Sequence, residues 1–405
     1  MDKADTAWML ISSALVLFMT PGLAFFYGGM VRKKNILSTL MKSFVAMGAL
    51  AVVWALVGFS LAFGPGNAFI GDLSYLGLNG VGGAPGPNAD NIPFLVFMVF
   101  QGMFFVITPA LFSGSIVERV RFSAYLVIIV LWALIVYAPL CHMVWAPGGW
   151  LLEDGAMDFA GGTVVHISAA TAALVLTLVL GSRREYPKEP IIPHNLPLSV
   201  LGTGMLWFGW FGFNAGSALA ANEIAANAFV TTNLGAAAAS LGWTFWEWFH
   251  RGKPTTLGFI SGAVAGLVII TPACGFVSPM GAIVMGFFGA IVCYQAVVLR
   301  QKLKLDDSLD VLGVHGAGGA IGALLTGVFA TTAVNSGGQD GLLYGGGLGP
   351  LLKQLVAVGF TIVFVAALTF VIAKAVDALI GLRVDDESEL EGLDLSQHDE
   401  VGYNF

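Results

Sequence analysis

Charge is what this sequence has least of. Only 11% of its 405 residues are Asp, Glu, Lys or Arg, while 57% are hydrophobic. A soluble domain carries about 25% charged residues, so an ordinary water-facing surface is excluded. The apolar runs exceed the ~10 residues of a barrel strand and do not alternate. Helices remain, the other structure that satisfies its backbone inside lipid. Cysteine is scarce too. Cys141, Cys274 and Cys293 show no metal-ligand spacing, and an odd count fits free apolar thiols better than a disulfide framework, with a Cys141–Cys274 pair left open. No P-loop, nucleotide fingerprint or kinase signature occurs, so nothing supports ATP coupling, and no cofactor or metal is expected. The first apolar run, residues 6–31, is too long for a signal h-region and lacks a basic flank before it. A cleavable signal peptide is therefore not expected.

What is present is a succession of long apolar segments. They cover residues 6–31, 37–63, 94–117, 123–144, 160–181, 198–218, 226–249, 255–272, 280–299, 312–333 and 351–380. Each is near or above the ~20 residues that cross a bilayer core, which predicts an all-α membrane protein of eleven spans. Basic residues follow every odd-numbered span: Arg32, Lys33 and Lys34; Arg119 and Arg121; Arg183, Arg184 and Lys188; Arg251 and Lys253; Arg300, Lys302 and Lys304; Arg383. The loops after the even-numbered spans contain no Lys or Arg. The positive-inside bias then places the N-terminus outside and the C-terminus in the cytoplasm. Residues 1–380 form the membrane domain and 381–405 a polar tail. The tail holds eight acids and one base, so the whole net charge of −7 belongs to it.

A short internal repeat joins the fifth and tenth spans. One reads Gly-Gly-Thr-Val-Val-His166-Ile-Ser-Ala-Ala, the other Val-Leu-Gly-Val-His315-Gly-Ala-Gly-Gly-Ala. Spans 1–5 and 6–10 enter from opposite sides, which makes a 5+5 inverted repeat with an eleventh span added. Of six histidines, four lie at span ends, in a loop or in the tail, which leaves His166 and His315 inside spans, where ionisable groups are costly and face a cavity or partner. Their small neighbours permit close helix approach. The two imidazoles are expected to meet as an uncharged pair on a narrow path; bonds to neighbouring carbonyls are the plainer alternative. Metal binding lacks a third ligand.

Aromatic residues give a second signal. Trp210, Phe213 and Ser217 share one helical face at i, i+3 and i+7, and Phe100 and Phe104 stand at i, i+4. They make either packing surface or an aromatic cup for a small cation above a dry constriction. Trp145 ends the fourth span, in the cup or in an interfacial belt. Asp158 begins the fifth span as an N-cap, near the site but not touching the solute.

The chain resembles the ammonium transporter family (Amt/Mep/Rh), on the bacterial and plant Amt side. The likeness rests on Asp158-Phe-Ala-Gly-Gly-Thr-Val-Val-His166, Gly209-Trp-Phe-Gly-Phe-Asn-Ala-Gly-Ser217, Ala221-Asn-Glu-Ile-Ala225 and Gly313-Val-His-Gly316. The resemblance implies ammonium transport across the inner (cytoplasmic) membrane by a homotrimer with one pore per subunit, and no enzyme activity. It implies that Trp145, Ser217 and Phe104 recruit ammonium, that Phe104 and Phe213 form a phenyl gate, and that Trp210 lines the pathway near it. His166 and His315 correspond to the twin-histidine pair, and Asp158 to the carboxylate that holds the outer site together. Gly381-Leu-Arg383 and Glu391-Gly-Leu-Asp394 match the family's tail, which docks on cytoplasmic loops and engages a PII-type regulatory protein. One departure is Phe105, a second ring after Phe104 where a smaller residue is common. An ammonium sensor acting through a separate signalling partner is the alternative. A membrane enzyme lacks a nucleophile or a third ligand.

Overall fold

The computed structural model describes residues 1–188 and 192–404; 189–191, in the loop after the fifth segment, and the last tail residue lie outside it. Among the described residues, eleven apolar helices make the bundle. They are α1 (Lys3–Met30), α2 (Lys33–Phe63), α3 (Phe94–Ile116), α4 (Phe122–Trp132, Ala133–Tyr137 and Ala138–Trp145 end to end), α5 (Gly162–Leu180), α6 (Leu196–Ala218), α7 (Glu223–Arg251), α8 (Thr256–Ile270), α9 (Pro279–Lys302), α10 (Leu312–Phe329) and α11 (Gly349–Ile380). Among the described residues, ten helical segments are long and apolar enough to cross a membrane. The other, α8, has only 15 residues, about 22 Å at 1.5 Å per residue. It stops short of the expected residue 272 because Pro272 has no N–H to continue the ladder; the Pro272 carbonyl instead accepts from the Phe159 N–H at 3.1 Å.

Close backbone approach fixes how the helices pack. A Cβ on Gly202 of α6 would lie 2.2 Å from the Phe26 nitrogen of α1, so only glycine permits this crossing. α1 packs on α6, α3 on α5, and α8 on α10. All three cysteines are buried and free, which closes the question of a Cys141–Cys274 pair. Outside the bundle lie a short hairpin (Pro85–Gly86 with Ala89–Pro93) and a five-residue helix, Trp150–Asp154.

The basic residues that mark one end of the bundle also build its interior there, which hydropathy did not reveal. Arg183 is buried and bonds Asp306 at 2.6 Å and Glu118 at 2.7 Å. Arg119 donates to the carbonyls of Gly181 (2.9 Å) and Asp306 (2.8 Å). Burial would raise the Glu118 carboxyl, yet Arg183 and Arg32 hold it below its ordinary value. Charges buried this deeply persist only when paired and hydrogen-bonded.

The tail folds onto this network as two short helices, α12 (Asp386–Glu391) and α13 (Leu393–His398). Arg383 donates to the carbonyls of Leu180 (3.0 Å) and Ser182 (2.8 Å) and pairs with Glu389 at 2.6 Å. The Asp394 carboxylate accepts from the Leu37 and Ser38 N–H groups at 3.0 and 2.8 Å. An acid from the far end of the chain thus caps the first α-helical turn of α2.

Candidate functional site

The site is built where α1, α3, α6, α8 and the starts of α5 and α10 face one another. α5 and α10 both begin with a π turn, Gly162–Ile167 and Leu312–Ala317. Each turn carries one histidine, and π turns occur frequently at functional sites. Small side chains bring them together: a Cβ on Gly319 would lie 3.1 Å from the His166 Cβ, and one on Gly316 would lie 3.2 Å from the Ala170 Cβ. The two Nδ1 atoms are 3.2 Å apart and the rings nearly parallel, at 24°. One Nδ1 donates to the other, which places the remaining N–H of the accepting ring on its Nε2. His166 Nε2 is buried with no hydrogen-bond partner in the protein.

Around the pair lies a cavity of only about 10 Å³, walled by Leu23, Ile107, Leu111, Val264, Trp210 and Phe213. That is at the lower limit of the ~10–15 Å³ that admits one water-sized molecule. Trp210 lies 5.5 Å from the His166 ring, held by its Nε1–H donating to the Thr271 hydroxyl at 2.9 Å. Phe213 stacks 6.0 Å from the same imidazole. Its other side meets Phe104, with centroids 4.4 Å apart. Both phenyl rings are buried, Phe213 lining this cavity and Phe104 the next.

Beyond the phenyl pair, toward the end of the bundle poor in Lys and Arg, a second cavity of about 140 Å³ opens. Phe104, Trp145, Ser217, Gln101, Phe97 and Phe159 line it. Trp145 packs edge-on against Phe104 at 5.8 Å and lines the same cavity. Ser217 donates its hydroxyl proton to the Phe213 carbonyl at 2.9 Å, which leaves the oxygen lone pairs free to accept. Asp158 lines neither cavity. Its carboxylate accepts from the N–H groups of Gly161 (2.7 Å), Gly162 (2.6 Å), Thr163 (2.7 Å) and Val164 (3.3 Å) and from the Thr163 hydroxyl. Its own carbonyl accepts from Trp145 Nε1 at 2.9 Å. One residue therefore shapes the turn before His166 and holds the indole of the cup.

A family model, the Ammonium Transporter Family, matches residues 7–403. The chain belongs to the ammonium transporter family. An ammonium transporter of Bacillus subtilis is 51% identical over 100% of this chain and 99% of its own length. The ammonium transporter Amt1 of Archaeoglobus fulgidus is 46% identical, with 100% of both covered. The crystal structure of Saccharomyces cerevisiae Mep2 superposes with a TM-score of 0.88 at 36% identity, over 96% of this chain and 88% of that one. A solved sensor Amt protein gives 0.88 at 28%, over 98% of each. The Bacillus subtilis and Archaeoglobus fulgidus relatives are named ammonium transporters, and the chain is a multi-pass ammonium transporter rather than an enzyme.

Within this transporter, the expected site residues converge with one exception. Phe100 lines neither cavity. It packs behind Phe104 at 5.0 Å and against Gly216, where a Cβ would come within 2.8 Å of its ring. Phe105 lines neither cavity: its ring lies against Trp54 (4.8 Å) and Tyr137 (5.6 Å), on the other face of α3. Gln101 and Thr271 were not anticipated. Gln101 precedes Phe104 by three residues, and a lone amide in an apolar run on that face was the available signal. Thr271 acts through Trp210 and left no local signal.

Proposed function

We propose that this protein conducts ammonium or ammonia through a pore in each subunit. The observation that carries this reading is the order of the parts: an aromatic cup, a phenyl pair, then two joined imidazoles in an apolar lumen of about 10 Å³. The indole of Trp145, the ring of Phe104 and the Ser217 oxygen recruit the cation through π faces, worth about 0.5–2 kcal/mol, and one acceptor. Phe104 and Phe213 gate the path and strip its water, where a bare charge is costly. The solute gives up its proton near the entrance to the imidazole pair, which passes it inward, and ammonia passes along His166 and His315 with Trp210 beside them, so that one positive charge crosses with each molecule. Potassium has no proton to give and is excluded. Asp158 holds the turn and the cup but takes no part in contact.

The test is current across proteoliposomes after an ammonium jump, with potassium as control. Ammonium current without potassium current is expected, and Phe213→Ala is expected to lose that selectivity or nearly all transport. A folded protein that carries no current favours the second reading, a sensor acting through a separate partner, to which the likeness with the sensor Amt protein leads.

The proposed arrangement is eleven spans with the N-terminus outside, the tail in the cytoplasm and the membrane a bacterial inner one. Charge alternation and the paired packing of α1 with α6, and of α3–α5 with α8–α10, support it and the inverted repeat. A homotrimer and a PII-type partner on the tail follow from the family likeness. A reporter fused after Val384, replacing the tail, tests two of these at once. It should score cytoplasmic, and transport should fall several-fold with folding retained, because Glu389 and Asp394 no longer engage Arg383 and α2. An extracytoplasmic score overturns the orientation; unchanged transport and PII co-purification overturn the tail's role.

A further inference from the structure

α11 carries a single side-chain amide in its apolar length, Gln354, and that residue lines neither cavity of the path. It is buried near the start of the helix. Its Oε1 accepts from the Met157 N–H at 2.7 Å. Its Nε2 donates to the Met157 carbonyl at 2.7 Å and to the Ala323 carbonyl of α10 at 2.9 Å. Both Nε2 hydrogens are used. The reversed amide would set N–H against N–H and oxygen against two carbonyls, so the partners fix one orientation. Met157 is buried in a stretch that is neither helix nor strand. Gln354 gives its N–H and carbonyl the pairing that a neighbouring strand would supply, and buried backbone groups need such a partner.

The grip reaches the site through one residue. A peptide unit is planar, so holding the Met157 carbonyl holds the plane that enters Asp158. The plane that leaves Asp158 contains its carbonyl and the Phe159 N–H, and this N–H donates to the Pro272 carbonyl at 3.1 Å. Asp158 therefore lies between two anchored planes, one held by α11 and one by the residue after α8. The second plane carries the carbonyl that takes the Trp145 Nε1–H at 2.9 Å. Trp145 in turn lines the larger cavity. α11 packs on both α5 and α10, so one amide ties the approach to the first histidine span to the body of the second.

We propose that Gln354 is a positioning residue for recruitment: its grip on Met157 sets the backbone of Asp158 and so the place of the Trp145 indole at the cavity. The inference rests on the recruitment role given to Trp145 above.

Gln354→Met keeps the bulk and removes every polar contact. The Asp158 carboxylate keeps its own donors in that variant, so the turn before His166 is retained and the indole is what moves. Methylammonium uptake should show KM raised about fivefold with kcat nearly kept, the mark of weakened recruitment. Gln354→Glu keeps an acceptor for the Met157 N–H but sets a carboxylate oxygen against two carbonyls, and it should raise KM as well. Thr369→Val is the control. It removes a buried hydroxyl of the same helix, the acceptor of Trp132 Nε1–H at 3.0 Å, about four turns further along, and should leave KM at the wild-type value. KM unchanged in both Gln354 variants, or raised equally in Thr369→Val, overturns the proposal.

Fluorine NMR of protein labelled with fluorotryptophan, with Trp145→Phe to assign the signal, reads the indole directly. The Trp145 resonance should shift in Gln354→Met and keep its place in Thr369→Val; a resonance that keeps its place in both overturns the proposal. Hydrogen exchange of the wild type needs no variant. The Met157 N–H should exchange slowly, and rapid exchange overturns the grip even where the variants fail to assemble. Wild type that takes up no methylammonium sinks the transport reading instead, while the NMR and exchange arms still decide the grip.

Discussion

His166→Ala is expected to cut ammonium current by at least tenfold, or to destroy its selectivity, in a protein that still folds. His315→Ala should do the same. The pair acts as one unit: among the described residues each Nδ1 has only the other as partner, at 3.2 Å, and no other acid–base group lines the cavity they share. Packing alone would give a different result, because one lost neutral hydrogen bond costs about 1 kcal/mol of stability and leaves conduction untouched. The double variant should cost little more than the worse single one, since residues in one network are not additive. Removing both rings widens a cavity that now holds about one water-sized molecule, so potassium leak is the expected failure. Currents for ammonium and potassium in proteoliposomes, with assembly checked by size exclusion, measure all of this. Wild-type current and wild-type potassium exclusion in the folded double variant would defeat the assignment.

Asp158→Ala is expected to be the most damaging single change near the site. The carboxylate takes three backbone N–H groups at 2.6–2.7 Å, a fourth at 3.3 Å and the Thr163 hydroxyl, all buried. Alanine strands those donors, at about 1–3 kcal/mol for each buried one left unsatisfied, so a loss above ~3 kcal/mol follows. Gly161 deepens the dependence: it turns through φ +121°, a conformation that the capped donors hold in place. Asp158→Asn keeps one oxygen for Gly161 and Gly162 but turns an N–H toward Thr163, so it should fall between wild type and alanine. Thermal unfolding of the detergent-solubilised variants ranks them, and KM for methylammonium reports whether Trp145 has moved. An alanine variant with wild-type melting would show that the turn does not need its cap.

The legibility of the sequence differs sharply between these features. Span ends were readable to within a few residues because lipid imposes a length and an apolar composition on every segment. α10 ends four residues before the expected 333, at Phe329, and α8 ends two residues before the expected 272, at a proline that interrupts the backbone ladder. Asp158 was read as a helix cap, and the structure extends that from one bond to five, since the π turn bends back around the carboxylate. Phe100 and Phe104 looked equivalent at i, i+4, yet only Phe104 meets Phe213. Arg119 and Arg183 read as topology markers, and nothing local said that their partners are Asp306 and Glu118.

By itself the sequence determined the membrane class, the segments, their alternation of charge and the presence of one histidine among small residues in each half. Those properties are local: hydropathy, spacing and residue size act within a span. Tertiary structure decided which rings form the phenyl pair, that Phe105 faces Trp54 rather than the path, that Thr271 steadies Trp210, and that a tail acid caps α2. A helical period assigns a residue to a face, but which neighbouring helix meets that face, and at what height, is set by the close crossings of the whole bundle, such as Gly202 against Phe26.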